Sequence, residues 1–410
     1  HMTQFLKVVS PKDAVAIVSD HLSRVTSEFV STESSLKRIL YRNIVAEIQL
    51  PEFVRSSMDG FSVKASNTFG ATEDLPAYLE VVGEIGMGHQ PVPSISAGQA
   101  VTAYTGGMLA DGADAVVMVE HTAMTNDGLL QIFRPVAEGE NTIRPGEDFD
   151  LGDSAGEKGD VITTGTLGAL LALGIDKVKV FKQLTVGVIS SGDELVAPDA
   201  TTELGQTRDI NVHTIAAQIQ KLGMRYAKFP LIDDNIESLK FAGTEALGRC
   251  DALLFTSGSS LSNRDLTYQV IQSLGEPGVL AHGISLKPGK PTVLGVTSGK
   301  PVIGLPGNPV SALTVFDFVV DPILRHISGR KTVPALTATA ILQNDLPSER
   351  GRTDFVRVSL QETENSLNAV PVWGKSNSIS VFSETVGYVQ IPSDQSGLYK
   401  GTSVKVRLDE

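Results

Sequence analysis

Apolar residues at Ala14, Val15, Val18, Leu22 and Val25 recur on one helical face, with Ser10 at the N-cap and Pro11 at the first helical position. A second, shorter helical stretch is expected within Thr32 to Leu50. From about Pro51 to Asn141 the texture changes to short strand-like runs: Tyr78 to Ile85, Ala100 to Thr105, Ala115 to Glu120 and Leu129 to Phe133. Glycine, proline and an Asn-Asp-Gly turn separate them, so residues 51–141 read as a small β-rich insertion. A further helix is expected over Thr166 to Leu173.

From Leu184 onward the pattern alternates between strand and helix. Thr185 to Ser190, Tyr226 to Ile232, Ala252 to Thr256 and Pro301 to Gly304 read as strands. Between them, Val212, Ile215, Ile219 and Leu222 mark a helix stopped by Gly223, and Ile236 to Leu247 and Leu266 to Leu274 mark two more. A last helix begins near Pro309. This is the rhythm of a doubly wound sheet, placed at residues 184–329. Past Arg330 the chain returns to strands: Leu336 to Leu342, Asp354 to Leu360, Ala369 to Trp373, Tyr388 to Ile391 and Ser403 to Leu408. They predict a separate barrel over 330–410. The class is therefore multidomain α/β plus β.

Composition narrows the function. A chain of 410 residues exceeds what one core organises, so two to four domains are expected. No apolar run approaches the roughly 18 residues of a membrane span, and none of the signal pattern stands at His1-Met2-Thr3-Gln4, so no membrane association is expected. The single Cys250 precedes an apolar strand and reads as a packed, reduced thiol in a cytoplasmic compartment. A net charge of −13 without a basic stripe argues against nucleic acid as a partner.

Against that acidic background, Lys287 to Ser311 reads as an anion site. In Lys287-Pro-Gly-Lys290-Pro291 two ammonium groups are presented from a stiffened turn, and in Gly304-Leu-Pro306-Gly307-Asn308-Pro-Val-Ser311 a sharp turn enters a helix whose N–H groups suit phosphate. Two more loops should reach the same sheet edge: Ser190-Ser191-Gly192-Asp193-Glu194, and Thr256-Ser257-Gly258-Ser259-Ser260 leading on to Asp265. Their small and hydroxylated residues let donors converge on an anion. Asp59, Asp148, Asp193, Glu194, Asp234 and Asp265 lie in or near turns, and acids beside an anion call for compensation by Mg²⁺ held with substrate phosphates. No HExxH, paired-Cys or GxSxG pattern supports a zinc site or a serine hydrolase.

These residues resemble the molybdopterin molybdenumtransferases, the MoeA family that includes the C-terminal part of gephyrin. Seven elements in order carry the resemblance. They are Pro51-Glu-Phe-Val-Arg-Ser-Ser-Met-Asp59-Gly60, Tyr104-Thr105-Gly106-Gly107, Arg144-Pro-Gly-Glu-Asp148, Ser190-Ser-Gly-Asp-Glu194, Asp209-Ile-Asn211, Lys287-Pro-Gly-Lys-Pro291 and Leu305-Pro-Gly-Asn-Pro-Val-Ser311. The resemblance implies a homodimer of four-domain subunits: a helical linker domain at 1–50 and 142–183, the β insertion, a MogA-like α/β domain and the C-terminal barrel. It implies insertion of molybdate into adenylylated molybdopterin with Mg²⁺-assisted release of AMP, in a cleft built across the dimer. A molybdopterin-adenylylating enzyme and molybdoenzyme acceptors become possible partners.

Residue by residue, the resemblance gives pterin-phosphate or adenylyl contacts to Ser190, Gly192, Ser257, Gly258, Ser260, Lys287, Lys290, Pro306, Gly307, Asn308 and Ser311. The reacting surround falls to Asp59, Thr105, Arg144, Asp148, Glu194, Asp234 and Asp265, with Asp193, Glu194, Asp234 and Asp265 toward the metal. The chain departs from the family at Ser257 to Asn263, where two expected glycines are serine and an expected acid is Asn263, and the turn after Arg144 is one residue short. That departure keeps open a second reading, a catalytically weakened paralogue that carries the pterin. A third, adenylylation of molybdopterin by ATP, would need the α/β domain alone.

Overall fold

The fold was established in a computed structural model, and the structure describes residues 8–90, 94–257, 261–364 and 366–409. Its centre is a six-stranded sheet in the order Arg225–Lys228, Thr185–Ser191, Ala252–Ser257, Lys300–Leu305, Val293–Thr297, Pro277–His282. The first four strands are parallel, and Val293–Thr297 pairs antiparallel with both of its neighbours. From Val186 to Ser191 every residue is buried, the unbroken apolar run of a strand covered on both faces.

The covering helices follow the predicted rhythm. They are α1 (Pro11–Ser19), α3 (Asn211–Lys221), α4 (Ile236–Arg249), α5 (Leu261–Ser273), α6 (Pro309–Val315) and α7 (Asp321–Ile327), while α2 (Thr164–Ala172) packs in a separate small core. One face of the central sheet packs against Ala14 and Val18 of α1, Ile215 and Ile219 of α3, and the α6 and α7 residues Ala312, Ile323 and Leu324. The other receives Leu239, Ala242 and Ala246 of α4 and Val270 and Ile271 of α5. The Ser10 hydroxyl accepts the Asp13 N–H at the start of α1, as the cap pattern predicts. The helix ends at Ser19, however, so Leu22 and Val25 reach the same core from an extended connection. Between α6 and α7 the helix widens into a π turn over Phe316–Val320, where Pro322 cannot donate to the preceding turn.

Three other expectations are corrected. The strand expected to reach Ile232 stops at Lys228, before Pro230. Pro277–His282 and Val293–Thr297 add two strands beyond the expected four, and Ser298 and Gly299, both at positive φ (51° and 77°), form the turn of a hairpin with Lys300–Leu305. Within Thr32 to Leu50 there is no α-helix, only a single 3-10 turn at Thr32–Ser34. The Ser34 and Ser35 hydroxyls bond the carbonyls of Ser31 and Thr32, and Ile39 and Leu40 pair across to Val161 and Val180. These contacts form a small core with Ile162, Leu170 and Val178, in which α2 is the one long helix.

Residues 60–132 form their own six-stranded sheet over Val63, Leu79, Val117, Leu130 and Ile132. Gly60 is required there, because a Cβ would stand 1.9 Å from Val117 O on the neighbouring strand. Past residue 330, Thr353–Glu362 pairs with both Leu367–Pro371 and Gly387–Ile391, and Thr337–Leu342 and Ser403–Leu408 complete a closed five-stranded barrel. Trp373 lies beyond the last residue of its strand, Pro371. A two-residue strand, Leu286–Lys287, runs parallel to Thr353–Asp354 and so joins the central sheet to the barrel at the lysine turn. Phe318 of the π turn stacks on Phe355 of the barrel with ring centroids 3.6 Å apart.

Candidate functional site

A cleft of about 990 Å³ opens between the central sheet and the barrel. One wall is the turn from Lys287 to Pro291 with Pro306, Gly307, Asn308 and Ser311. The other comes from the barrel segments 349–357 and 372–377. Its volume suits a ligand of nucleotide size.

The lysine turn is held from beneath. Gly289 sits at φ +132°, and a Cβ there would lie 2.5 Å from Leu286 Cδ2 and 2.6 Å from Val315 Cγ2. Only glycine lets the turn lie this close to α6. The Thr292 hydroxyl donates to Gly289 O at 2.7 Å and closes the turn. Lys287 Nζ stands 3.8 Å from Asp354 Oδ2, and the same buried carboxylate accepts from Arg352 Nε at 2.9 Å. With its side chain 57% exposed, Lys287 is only weakly held by this pair and can turn to a ligand. Lys290 pairs with no carboxylate among the described residues. Arg350, Arg352 and Lys375 add cations from the barrel side. The barrel wall was not foreseen, and its available signal was Arg352-Thr-Asp354-Phe-Val-Arg357, charges interrupting a buried strand.

The α6 start differs from expectation. Val310 N–H is taken by Ser376 O at 3.1 Å, and the Asn308 side chain donates to Ser376 Oγ at 2.9 Å rather than capping the helix. One of the helix-start donors is therefore spent on the barrel. From the other side, the Asn211 amide at the start of α3 donates to Gly307 O at 2.7 Å and fixes the Pro306–Asn308 turn.

The strands that lead into the three loops are neighbours and end at one edge, with Ser190 opposite Thr256 and Thr256 opposite Leu305. Thr256 Oγ1 donates to Ser190 Oγ at 3.1 Å, which leaves Ser190 buried beneath the edge. Gly192 sits at φ +157°, and a Cβ there would lie 2.9 Å from Leu195 Cγ. Asp234 N–H donates to Asp193 Oδ1 at 3.3 Å, which brings Asp193 and Asp234 together, and Asp234 Oδ1 is a buried atom without a partner. No set of three or more acidic, His or Cys side chains among the described residues forms a metal cage by itself. Gly258 and Ser260, and the side chains of Ser257 and Asp265, lie outside the described residues.

Ser190, Gly192, Asp193, Glu194 and Asp234 do not line this cleft, and Asp59, Thr105, Arg144 and Asp148 stand apart from it as well. Asp59 Oδ1 accepts the Thr105 N–H at 2.7 Å and its hydroxyl at 2.9 Å, and these bonds hold Asp59 below the usual carboxylate range. Arg144 and Asp148 flank the turn that follows the insertion sheet, where Asp148 N–H donates to Leu50 O. Neither pair lines the cleft of its own chain.

Comparison with known proteins follows the same division. Residues 9–174 match the MoeA N-terminal region (domain I and II), residues 187–326 a probable molybdopterin binding domain, and residues 339–408 the MoeA C-terminal region (domain IV). A putative molybdopterin biosynthesis protein of Methanocaldococcus jannaschii is 34% identical, with 97% of each chain covered. The molybdopterin molybdenumtransferase of Bacillus subtilis is 31% identical over 97% of this chain and 93% of its own. Among solved structures, a molybdopterin biosynthesis MoeA protein from Pyrococcus horikoshii superposes with a TM-score of 0.80 at 35% identity, covering 98% of this chain and 99% of that one. No helix among the described residues is long and apolar enough to cross a membrane.

Proposed function

The chain belongs to the MoeA family of molybdenum cofactor biosynthesis enzymes, and we propose that it inserts molybdate into adenylylated molybdopterin with Mg²⁺-assisted release of AMP. The observation that carries this reading is the lysine turn facing the Pro306–Asn308 turn across one cleft, with further cations on the barrel wall. Lys287 and Lys290 would neutralise the substrate's phosphate oxygens from the turn that Gly289 seats against α6. Asp354 would hold Lys287 and Arg352 within reach of the same charge.

Asp193 and Asp234 would hold Mg²⁺ together with substrate phosphates: the ion commonly takes one or two carboxylates, the unpartnered Asp234 Oδ1 suits it, and it would neutralise charge at the phosphoanhydride. In the same reading the chain is a homodimer, and Asp59, Thr105, Arg144 and Asp148 of one copy complete the cleft of the other. That none of the four lines its own chain's cleft supports this arrangement. Asp59, kept ionised by Thr105, then adds a fixed negative charge and a hydrogen-bond acceptor beside the reacting groups.

The test is AMP release from adenylylated molybdopterin by the purified protein, with molybdate and Mg²⁺ supplied or withheld. Release that ignores both would remove the transferase reading. Tight molybdopterin binding without any turnover would favour the carrier suggested by the altered Ser257 to Asn263 loop.

A further inference from the structure

Trp373 is the chain's only tryptophan, lines the cleft, and is 63% exposed. Its loop is fixed on both sides. Val372 N–H donates to Arg357 O at 3.1 Å, and Gly374 lies so close to Val381 that a Cβ would stand 2.3 Å from Cγ2. Two residues on, Ser376 is tied to Val310 N–H and to the Asn308 amide. The backbone carrying the indole is thus pinned to the barrel at one end and to the Pro306–Asn308 turn at the other. The other aromatic residue of the lining, Phe355, is 7% exposed and already stacked on Phe318. Trp373 therefore presents an unspent aromatic surface within the cationic cleft, where a large apolar ring in water gains by being covered.

We propose that Trp373 is the stacking platform for the fused heteroaromatic ring of a ligand whose phosphate is held at Lys287 and Lys290. The inference rests on the phosphate site of the proposed function and adds the recognition of the ring. Purine and pterin share the chemistry required, a flat π face that stacks on indole whatever hydrogen-bonding edge it carries.

Calorimetry on the full-length protein separates the possibilities, using AMP, 6-hydroxymethylpterin monophosphate and ribose 5-phosphate as probes. Trp373→Ala should weaken at least one ring-bearing probe by about tenfold or more, while Trp373→Phe stays within about threefold of the parent. Ribose 5-phosphate should bind equally to all three proteins. A loss confined to AMP identifies the purine as the stacked ring, and one confined to the pterin probe identifies the pterin. Because Trp373 is the lone tryptophan, its emission should also respond to whichever ring-bearing probe the Trp373→Ala change weakens, and not to ribose 5-phosphate. The proposal is overturned if Trp373→Ala binds both ring-bearing probes as the parent does, or if Phe loses as much as Ala. It is equally overturned if ribose 5-phosphate is lost alongside the others, or if the parent holds the ring-bearing probes no more tightly than ribose 5-phosphate. Lys290→Ala tests the underlying phosphate site separately, since it should weaken all three probes. Unchanged ribose 5-phosphate binding in that variant would sink the phosphate site whatever Trp373 does.

Discussion

The side-chain amide of Asn308 donates to the hydroxyl of Ser376 at 2.9 Å, across the junction between the central sheet and the barrel. Asn308 stands at the N-cap of α6 yet makes no capping bond, so a cap worth about 1 kcal/mol is exchanged for a tie between the two walls of the cleft. Ser376→Ala removes the acceptor and should cost about 1 kcal/mol. Amide hydrogen exchange should quicken in 306–312 and 372–378 and remain unchanged in the strand Thr185–Ser191. Unaltered exchange at both walls would show that the tie carries no load.

Gly289 supports a sharper expectation. A methyl group at this position would meet Leu286 and Val315 at 2.5 and 2.6 Å in a backbone conformation that other residues rarely adopt. Gly289→Ala should therefore destabilise by about 1–3 kcal/mol and weaken phosphate binding, because the lysine turn must lift from α6. Gly70→Ala, at φ +84° with open space around it, carries the backbone cost alone and gives the reference. Thermal melts of both variants, with inorganic phosphate titrated into each, decide the matter.

The phosphate wall was legible in the sequence because Gly and Pro at 288–291 and 304–309 specify backbone shape locally. The doubly wound sheet was legible because buried parallel strands leave unbroken apolar runs such as Val186 to Ile189. The barrel wall was not, since Arg352, Asp354 and Trp373 are brought to the cleft by contacts such as the pairing of Leu286–Lys287 with Thr353–Asp354, about 67 residues apart along the chain, which no local pattern encodes. The absent helix at 32–50 has a similar cause. Ile39 and Leu40 find distant strand partners that outweigh a weak local preference.

Separation of Asp59 from its own chain's cleft leads to a complementation experiment. Asp59→Ala and Lys290→Ala should each be inactive as homodimers. After mixed refolding in equal amounts, half of the dimers should be mixed, each with one intact cleft, so about a quarter of parental turnover should return. A mixture as inactive as its components would place Asp59 and Lys290 in the same chain's cleft or remove one of them from the reaction.

Thr105 is expected to set the acid limb of that turnover. Its N–H and hydroxyl both lower the Asp59 carboxyl, so the folded state favours the ionised form, and what these bonds contribute is lost as pH falls through the depressed value. Thr105→Val keeps the N–H bond and removes the hydroxyl bond, so the Asp59 titration should move up toward an ordinary aspartate. Thr105→Ser should leave it in place. The acid limb of the pH–rate profile should shift with it, and carbon-detected NMR of the Asp59 carboxyl would show whether the limb belongs to this residue.

Asp317 provides the opposite sign. Burial raises its carboxyl to about 7, while Tyr388 Oη donating to Oδ2 at 3.0 Å and the Arg407 and Arg357 charges oppose the rise and Asp409 adds to it. Gln218 Nε2 donates to the other oxygen at 3.3 Å from α3. The folded value lies above the unfolded one, so the contribution of this group is complete below about pH 4 and is lost as pH rises to about 7. Across that window stability should fall by up to about 1.4 kcal/mol per pH unit from this group, less where the small pocket beside it admits water. Asp317→Asn keeps the shape and removes the charge, so its melting temperature should lie above the parent's at pH 8, with the gap closing toward pH 4. Because the residue sits on the π turn whose Phe318 stacks against the barrel, the gain should appear in the transition that separates the barrel from the central sheet. A melting profile with the parent's pH dependence would exclude Asp317 as the titrating group.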